Sequence, residues 1–325
     1  MSLVVDVVIA RRDFQVEVSF EVQAGERFVL FGPSGAGKSS ILEAVAGLVV
    51  LSKGTISLNG TTLTDVGPPY SSVEMHRRKV GLLRQDPAIF SHLSVGANAG
   101  YAQKLAPTSP VVSAMLDRLG LSGLNNAAPA DLSGGQRQRV ALARVLLSGF
   151  KTLLMDEPYS SLDSALRREL IVTAAGLSGQ VPSILVTHDL EEAQSYGDRI
   201  AIINEGRILQ IDDPVAIVAR PTTKTAAQMV GYRSFIAHRG HLAAIHPDNC
   251  QVSPRGDDGI EISGRVLSVV PAGTKFETAI DPQFPALLSG EGGAIDSVVL
   301  RLDHRVNPGD EVTMFIPDPP LVDPQ

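Results

Sequence analysis

Residues 32–40, Gly32-Pro33-Ser34-Gly35-Ala36-Gly37-Lys38-Ser39-Ser40, constrain this chain more than any other stretch. They follow Arg27-Phe28-Val29-Leu30-Phe31, a β-branched and aromatic run that predicts a strand, and precede Ile41 to Ala46, which has helical composition. Strand, glycine-rich turn and helix in that order form the context a phosphate-binding loop requires. The glycines let the backbone curl with its N–H groups inward, and the positive end of the helix dipole adds to the attraction for polyphosphate. Lys38 would reach the β- and γ-phosphates as a point charge. The Ser39 hydroxyl would be a ligand to an accompanying Mg²⁺. An ordinary glycine-rich turn is the bland alternative, and the full G-x-x-x-x-G-K-S pattern in this context argues against it.

The remaining composition narrows the setting. At 325 residues the chain has room for one large α/β domain and a smaller one. Its net charge of −7 and pI near 5.5 give no basic face for duplex nucleic acid or an anionic membrane surface. The single cysteine, Cys250, cannot form an internal disulfide, which fits a reducing compartment. No apolar run approaches the length of a spanning helix, and the N-terminus lacks a charged region followed by an apolar segment and cleavage site. The expectation is a soluble chain whose link to any membrane runs through a partner.

Along the chain, Leu3 to Ile9 and Gln15 to Val22 alternate in polarity and predict an antiparallel hairpin. Lys53 to Leu58 predicts a strand closed by the Asn59-Gly60 turn, and Lys79 to Leu83 another strand. From Pro87 to Pro129 the pieces are helical, including Val111 to Leu119, and predict a helical subdomain inserted into the α/β core over about residues 87–148. Alternation resumes with Leu153 to Met155, Ser183 to Val186 and Ile200 to Ile203. Beyond about Arg220 to Tyr232 the chain is rich in Gly, Pro and Asp. Short strands there, Gly264 to Val270, Asp296 to Leu302 and Glu311 to Ile316, predict a small β-barrel or sandwich.

Two further motifs carry chemistry. Lys151-Thr152-Leu153-Leu154-Met155-Asp156-Glu157-Pro158 reads as an apolar strand ending in two carboxylates. Strand side chains alternate, so Asp156 and Glu157 face different ways; the first can hold the Mg²⁺ shell and the second can sit against an attacking water. A solvated strand-end pair is the alternative. Leu132-Ser133-Gly134-Gly135-Gln136 precedes a run with helical spacing and makes a second glycine-rich helix start, for which Ser133 is also a good N-cap.

With these motifs in order, the chain resembles the nucleotide-binding subunit of an ATP-binding cassette transporter. Leu132 to Gln136 matches that family's signature motif letter for letter. Gln85 matches the Q-loop, Ser161-Leu162-Asp163 the D-loop, and His188 in Thr187-His188-Asp189 the switch histidine. The resemblance covers residues 1–231 and implies a P-loop NTPase: a RecA-like α/β core, an N-terminal antiparallel β part and an inserted helical subdomain. It implies ATP and Mg²⁺ as cofactors, with Ser39, Gln85 and Asp156 around the metal. It further implies a head-to-tail homodimer in which ATP lies between the phosphate loop of one subunit and the signature motif of the other. Ser133 and Gly135 would then meet the γ-phosphate in trans, Glu157 would polarise the water, and His188 would hold phosphate and water in line. Gln85 would report nucleotide state to a transmembrane partner, whose coupling helix would sit near Ala88 to Leu93. An aromatic stacks on adenine in this family; Phe14 is the candidate, and it equally fits a core position of the hairpin.

Residues 232–325 resemble the small OB-like β domain, TOBE-like, appended to many importer ATPases, with His246 in Ala244 to Asn249 where the family usually has arginine. The resemblance implies an energising subunit on the cytoplasmic face of the inner membrane, bound to two permease subunits and served indirectly by an extracytoplasmic solute-binding protein. The appended domain would be a stabilising or dimer element, or a regulatory one that takes a small ligand or an inhibitory protein. His76 to Gly81 and Phe90 to Val95 look most like the molybdate and oxyanion group, while sugar, polyamine and ferric-iron subunits share nearly the same letters. A soluble cassette ATPase acting on nucleic acid or ribosomes is the rival; one cassette, no heptad run and an acidic balance weigh against it, and no nucleic-acid partner is expected. Four of the seven histidines, His238, His241, His246 and His304, fall in this segment without the spacing of a metal site.

Overall fold

The computed structural model describes residues 2–11, 14–158, 164–177, 179–238, 241–249, 259–283, 298–303, 305–317 and 319–324. The chain opens with β1 (Ser2–Ala10) and β2 (Gln15–Gln23), whose strict alternation of buried and exposed positions pairs them antiparallel from Ser2 opposite Gln23 to Ala10 opposite Gln15. The predicted hairpin is therefore present. β3 (Arg27–Phe31), with four consecutive buried residues, leads into α1 (Lys38–Ala46). β4 (Lys53–Leu58), β5 (Thr61–Asp65) and β6 (Ser71–Ser72) extend the antiparallel part, and Asn59 and Gly60 both adopt the positive φ that the β4–β5 turn needs.

After β7 (Val80–Leu83) come three helices, α2 (Val95–Gly100), α3 (Pro110–Arg118) and α4 (Gly134–Leu146). Each begins at a serine, Ser94, Ser109 or Ser133, whose hydroxyl accepts a backbone N–H of the first turn. The α/β alternation then continues through β8 (Thr152–Asp156), α5 (Ser164–Leu177), β9 (Ser183–Thr187), α6 (Leu190–Tyr196), β10 (Arg199–Asn204) and β11 (Arg207–Asp212).

All eleven of these strands form one sheet, in the order β6-β5-β4-β1-β2-β11-β10-β3-β9-β8-β7. The run β10-β3-β9-β8-β7 is parallel throughout; β10, β3, β9 and β8 are buried almost end to end, as parallel strands with covered faces are, and β7 at the edge is half-buried. β11 was not anticipated: it folds back antiparallel on β10 and joins β2, so that the antiparallel part and the parallel core become one sheet.

Arg78 fixes the helix of the phosphate loop from behind. Its side chain is buried, and among the described residues no ion pair to it is seen. Nη1 donates to the carbonyls of Ala44 and Val45 at the C-terminal end of α1, Nε to the Val73 carbonyl, and Nη2 to the hydroxyls of Thr64 and Ser72. A cation at the negative end of the helix dipole, with donors shared among five oxygens, offsets the burial that lowers its pKa.

Contacts between residues divide the chain into two compact units, Met1–Pro214 and Val215–Gln325. The second contains α7 (Pro214–Ala219, whose first residue closes the first unit), α8 (Lys224–Met229), β12 (Ser234–His238), β13 (His241–Ile245), β14 (Gly259–Ala272), β15 (Lys275–Gln283), β16 (Val298–Leu302), β17 (Glu311–Pro317) and β18 (Leu321–Val322). Its strands form a three-stranded sheet, β12-β13-β18, and a four-stranded one, β16-β15-β14-β17. Ile236, Ala243 and Ile245 of the first sheet share one apolar core with Ile262, Ile280, Leu300 and Met314 of the second. The small all-β domain expected from the sequence is present.

Lysine at position 78 would keep the charge and lose the fork. Arg78→Lys is expected to lower unfolding stability by about 1–3 kcal/mol. A fall in the urea midpoint at unchanged slope would show it; an unaltered midpoint would mean that the five contacts contribute nothing net.

Candidate functional site

Parallel strands bring their carboxyl ends to one edge, and in this sheet four such ends carry the motifs. β3 ends at Phe31 beside Thr187 of β9, Val186 of β9 lies beside Asp156 of β8, and Met155 of β8 beside Leu83 of β7. The phosphate loop, His188, Glu157 and Gln85 therefore leave the sheet at the same edge, the place where open α/β sheets bind ligands. A pocket of about 490 Å³ lies there, lined by Ser34, Gly35, Gly37, Lys38, Ser39, Ser40, Gln85, Glu157, Phe14 and Arg11.

Two loop glycines have specific reasons. A Cβ on Gly32 would stand 2.1 Å from the carbonyl oxygen of Ile203 on β10, so close approach of the neighbouring strand excludes any side chain. Gly37 has φ 98°, the left-handed region, and a Cβ there would meet Val16 at 2.5 Å. Lys38 is buried beneath the loop, donating to the carbonyls of Gly32 at 2.7 Å and Pro33 at 2.8 Å. Burial lowers its pKa, opposed by the nearby Glu157 and Asp156 carboxylates.

Ser39 donates to Asp156 Oδ1 at 3.0 Å, so hydroxyl and carboxylate stand side by side. Burial raises the Asp156 pKa against the hydrogen bond from Ser39, with Glu157 and Glu43 adding to the rise and Lys38 opposing it. Two hard oxygen donors beside a phosphate loop suit Mg²⁺, which is held by one or two protein oxygens plus substrate phosphates. Gln85, on the same pocket wall, is a third oxygen donor.

Glu157 departs from the alternation expected of it. β8 ends at Asp156, and Glu157 turns off the strand with φ 44°, its N–H bonded to the Val186 carbonyl at 3.0 Å. The two carboxylates still diverge, through a left-handed residue at the strand end instead of through strand pleating. Glu157 Oε1 lies 3.1 Å from His188 Nδ1. Below His188, the Thr187 hydroxyl donates to buried Glu192 at 2.6 Å and accepts the Asp189 N–H, while Asp189 caps α6. Arg167 pairs with both Asp189 and Glu192. Sequence reasoning missed Glu192 and Arg167, since neither sits in a motif.

The signature residues stand apart from this pocket. Leu132 precedes α4, and Ser133, Gly134, Gly135 and Gln136 form its first turn; none lines the pocket. Ser133 does more than cap: its hydroxyl accepts the Gln136 N–H while Gln136 Oε1 accepts the Ser133 N–H, a capping box. At the other end of α4, Arg144 donates to the Ala88 carbonyl at 3.1 Å and lies 5.0 Å over the Phe90 ring. Buried Asn98 pins the same loop through Phe90, Leu93 and Ser94. Arg144 and Asn98 thus bind the segment following Gln85 to the helical subdomain.

Phe14 lines the pocket and is 37% exposed, so it is not a core residue of the hairpin. Ser161, Leu162 and Asp163, together with Cys250 and His304, lie outside the described residues. In the second unit, His246 Nδ1 faces the Asp248 N–H at 3.3 Å and its ring meets Tyr232 edge-on, with burial lowering its pKa and Asp248 opposing.

A phosphate loop, a hydroxyl–carboxylate pair and a glutamate held by histidine at one sheet edge define a P-loop nucleotide hydrolase. A family model described as ABC transporter matches residues 16–160. The chain is 37% identical over 237 residues to the sulfate/thiosulfate import ATP-binding protein CysA of Nocardia farcinica, covering 71% of this chain and 69% of that one. It is 33% identical over 323 residues to the Fe(3+) ions import ATP-binding protein FbpC 2 of Rhodococcus jostii, with 91% and 90% covered. Against the spermidine/putrescine import ATP-binding protein PotA of Pseudomonas fluorescens it is 40% identical over 226 residues, with 67% and 61% covered. A solved bacterial Atm1-family ABC exporter with ATP bound superposes with a TM-score of 0.61 at 26% identity, covering 70% of this chain and 41% of that one. The chain belongs to the ABC transporter family as an ATP-binding subunit of importer type, an ATPase. Among the described residues no helix is long and apolar enough to cross a membrane.

Glu192 has its pKa raised by burial, against the hydrogen bond from Thr187; Asp189 adds to the rise, and Arg167 and His188 oppose it. It therefore holds its proton more tightly in the folded chain than in the unfolded one. That stabilising contribution is complete below the unfolded carboxylate range and is lost as pH rises through the folded value. Glu192→Gln should flatten this part of the pH dependence of unfolding. An unchanged profile would show that Glu192 does not titrate abnormally.

Proposed function

We propose that this chain energises a binding-protein-dependent importer as a homodimer beneath two membrane permease subunits, at the cytoplasmic face of the membrane. The observation that carries the proposal is the convergence of Lys38, Ser39, Gln85, Asp156, Glu157 and His188 at one sheet edge, while the signature turn stands outside that pocket. A second copy, placed head to tail, supplies Ser133 and Gly135 to the terminal phosphate. Splitting the site between two chains makes hydrolysis depend on closure, because phosphoryl transfer needs positioning and charge stabilisation above all.

In this reading Lys38 and the loop N–H groups bind the β- and γ-phosphates, and Phe14 stacks on adenine. Ser39, Asp156 and Gln85 hold Mg²⁺, which supplies charge neutralisation on the phosphate oxygens. Glu157 takes the proton of the attacking water. His188 stands beside Glu157 through Nδ1, so the water and the terminal phosphate are held from one side-chain pair. The D-loop, Ser161 to Asp163, belongs to the contact between copies. Gln85 passes nucleotide state to the permease, whose coupling helix meets the Ala88 to Leu93 segment. That segment's anchoring to α4 by Arg144 supports the link.

The cassette occupies residues 1–231, and residues 232–325 form a TOBE-like regulatory appendage. A cavity of about 730 Å³ within the unit Val215–Gln325, lined in part by Tyr232, His246, Asn249 and Pro317, supports room for a small ligand. For the solute we favour an oxyanion: the sulfate/thiosulfate relative and the molybdate-like letters of the sequence support it. Ferric iron and polyamine, transported by other relatives according to their names, are the alternatives.

Glu157→Gln should lower ATP turnover by about 10²–10⁴-fold while ATP stays bound and the dimer accumulates, visible by gel filtration with ATP. Turnover at the wild-type rate would remove Glu157 from its role. Co-purification of a multi-span permease from native membranes tests the importer assignment, and recovery of ribosomes or nucleic acid alone would overturn it.

A further inference from the structure

Arg11 is a pocket residue for which neither the phosphate loop nor the stacking aromatic accounts. It stands at the end of β1, where its N–H donates to the Phe14 carbonyl at 2.9 Å. This bond, next to the Ala10–Gln15 pair that closes the β1–β2 ladder, fixes Arg11 and Phe14 together at one end of the hairpin. Both side chains line the nucleotide pocket. The guanidinium is braced twice on α1: Nε donates to the Ser40 hydroxyl at 2.8 Å, and Nη2 pairs with Glu43 at 3.0 Å. Glu43 in turn stands 3.7 Å from Arg84, the residue before Gln85. No hydrogen bond from Nη1 is seen among the described residues.

A pair between partly exposed arginine and glutamate contributes little to stability by itself. An arginine held by two partners is nonetheless costly in side-chain entropy, and that ordering is spent in advance of ligand binding. The pocket has two chemically different ends. Asp156 and Glu157 mark the reacting phosphate, and Phe14 marks the base. Arg11 is tied to Phe14 through the backbone and to Ser40 through its side chain, one residue past Ser39. It therefore lies at the stretch of nucleotide between base and reacting phosphate, which holds the ribose and the α-phosphate. A planar guanidinium with donors to spare matches a phosphate better than a hydroxyl.

Resting on the nucleotide-site reading above, we infer that Arg11 binds the α-phosphate of the nucleotide, held ready for it by Ser40 and Glu43. ATP and ADP share that group, so Arg11 contributes equally to both. Lys38 differs, since it serves the outer phosphates.

Titration calorimetry on the full chain with ADP, and with ATP in the Glu157→Gln background, tests this. Arg11→Ala should weaken both nucleotides by about 10- to 150-fold, the range of a hydrogen bond to a charged group, with the ATP-to-ADP ratio unchanged. Arg11→Gln keeps neutral donors for Ser40 and Glu43 and should lose affinity as the alanine variant does. Recovery of affinity in Arg11→Gln would mean that Arg11 only props the hairpin or meets the ribose, and would overturn the inference. So would an unchanged affinity in Arg11→Ala, or a loss confined to ATP. Lys38→Ala, measured alongside, separates the two levels. If the unmodified chain binds neither nucleotide, the site reading itself fails; if it binds both and Lys38→Ala does not, a null result at Arg11 removes Arg11 alone.

Discussion

The alignment of four parallel strand ends is the constraint on which the site depends. Hydrogen bonds between β3, β9, β8 and β7 fix the register, so Phe31, Thr187, Asp156 and Leu83 reach the same edge within a residue or so. Residues as distant in sequence as Ser39 and Asp156 then meet at hydrogen-bond distance. A slip of one residue would shift a strand's carboxyl end by about 3.3 Å and exchange the two faces on which its side chains pack, parting pairs such as Ser39 and Asp156. Burial of the strands and placement of the chemistry are therefore enforced by the same register.

The edge so assembled is electrostatically demanding. Lys38 and Asp156 are both pushed by burial toward their neutral forms, and each is supported by the other's charge. Groups already withdrawn from water strengthen every charge interaction made with an anion there. Glu157, in a left-handed backbone conformation at the strand end, adds local strain at the pocket wall. The buried network of Thr187 and Glu192 with Arg167 gives the neighbouring histidine a fixed base.

Three arginines act as braces around this arrangement, each by a different chemistry. Arg78 satisfies carbonyls at the far end of α1 and offsets its dipole. Arg144 combines a carbonyl bond with an aromatic face to tie the loop after Gln85 to the signature helix. Arg11 spans a hydroxyl and a carboxylate on the near side of α1. Planar, multi-donor side chains are suited to joining elements whose polar groups do not match one another directly.

Local patterns along the chain specify the motifs and most of the strands around them. Val16, Val18, Phe20 and Val22 alternate, Leu153 to Met155 form an apolar run, and the glycine-rich loop stands between a strand and a helix, all of which are local patterns. The first unit's mixed sheet was less legible: β11 was not foreseen, since its role is to join β2 to β10, strands separated by much of the chain. Gly32 shows the same division. In the sequence it signals backbone freedom, but the carbonyl of Ile203 is what excludes a side chain, and that oxygen arrives from a strand about 170 residues away, brought beside β3 by parallel pairing. Tertiary structure alone decided that Arg11 would brace the phosphate helix, that Arg78 would hold its other end and that Glu157 would leave the strand to meet His188. In each case the deciding partner is distant in sequence, and only the packing of the elements around the sheet brings it within hydrogen-bond reach.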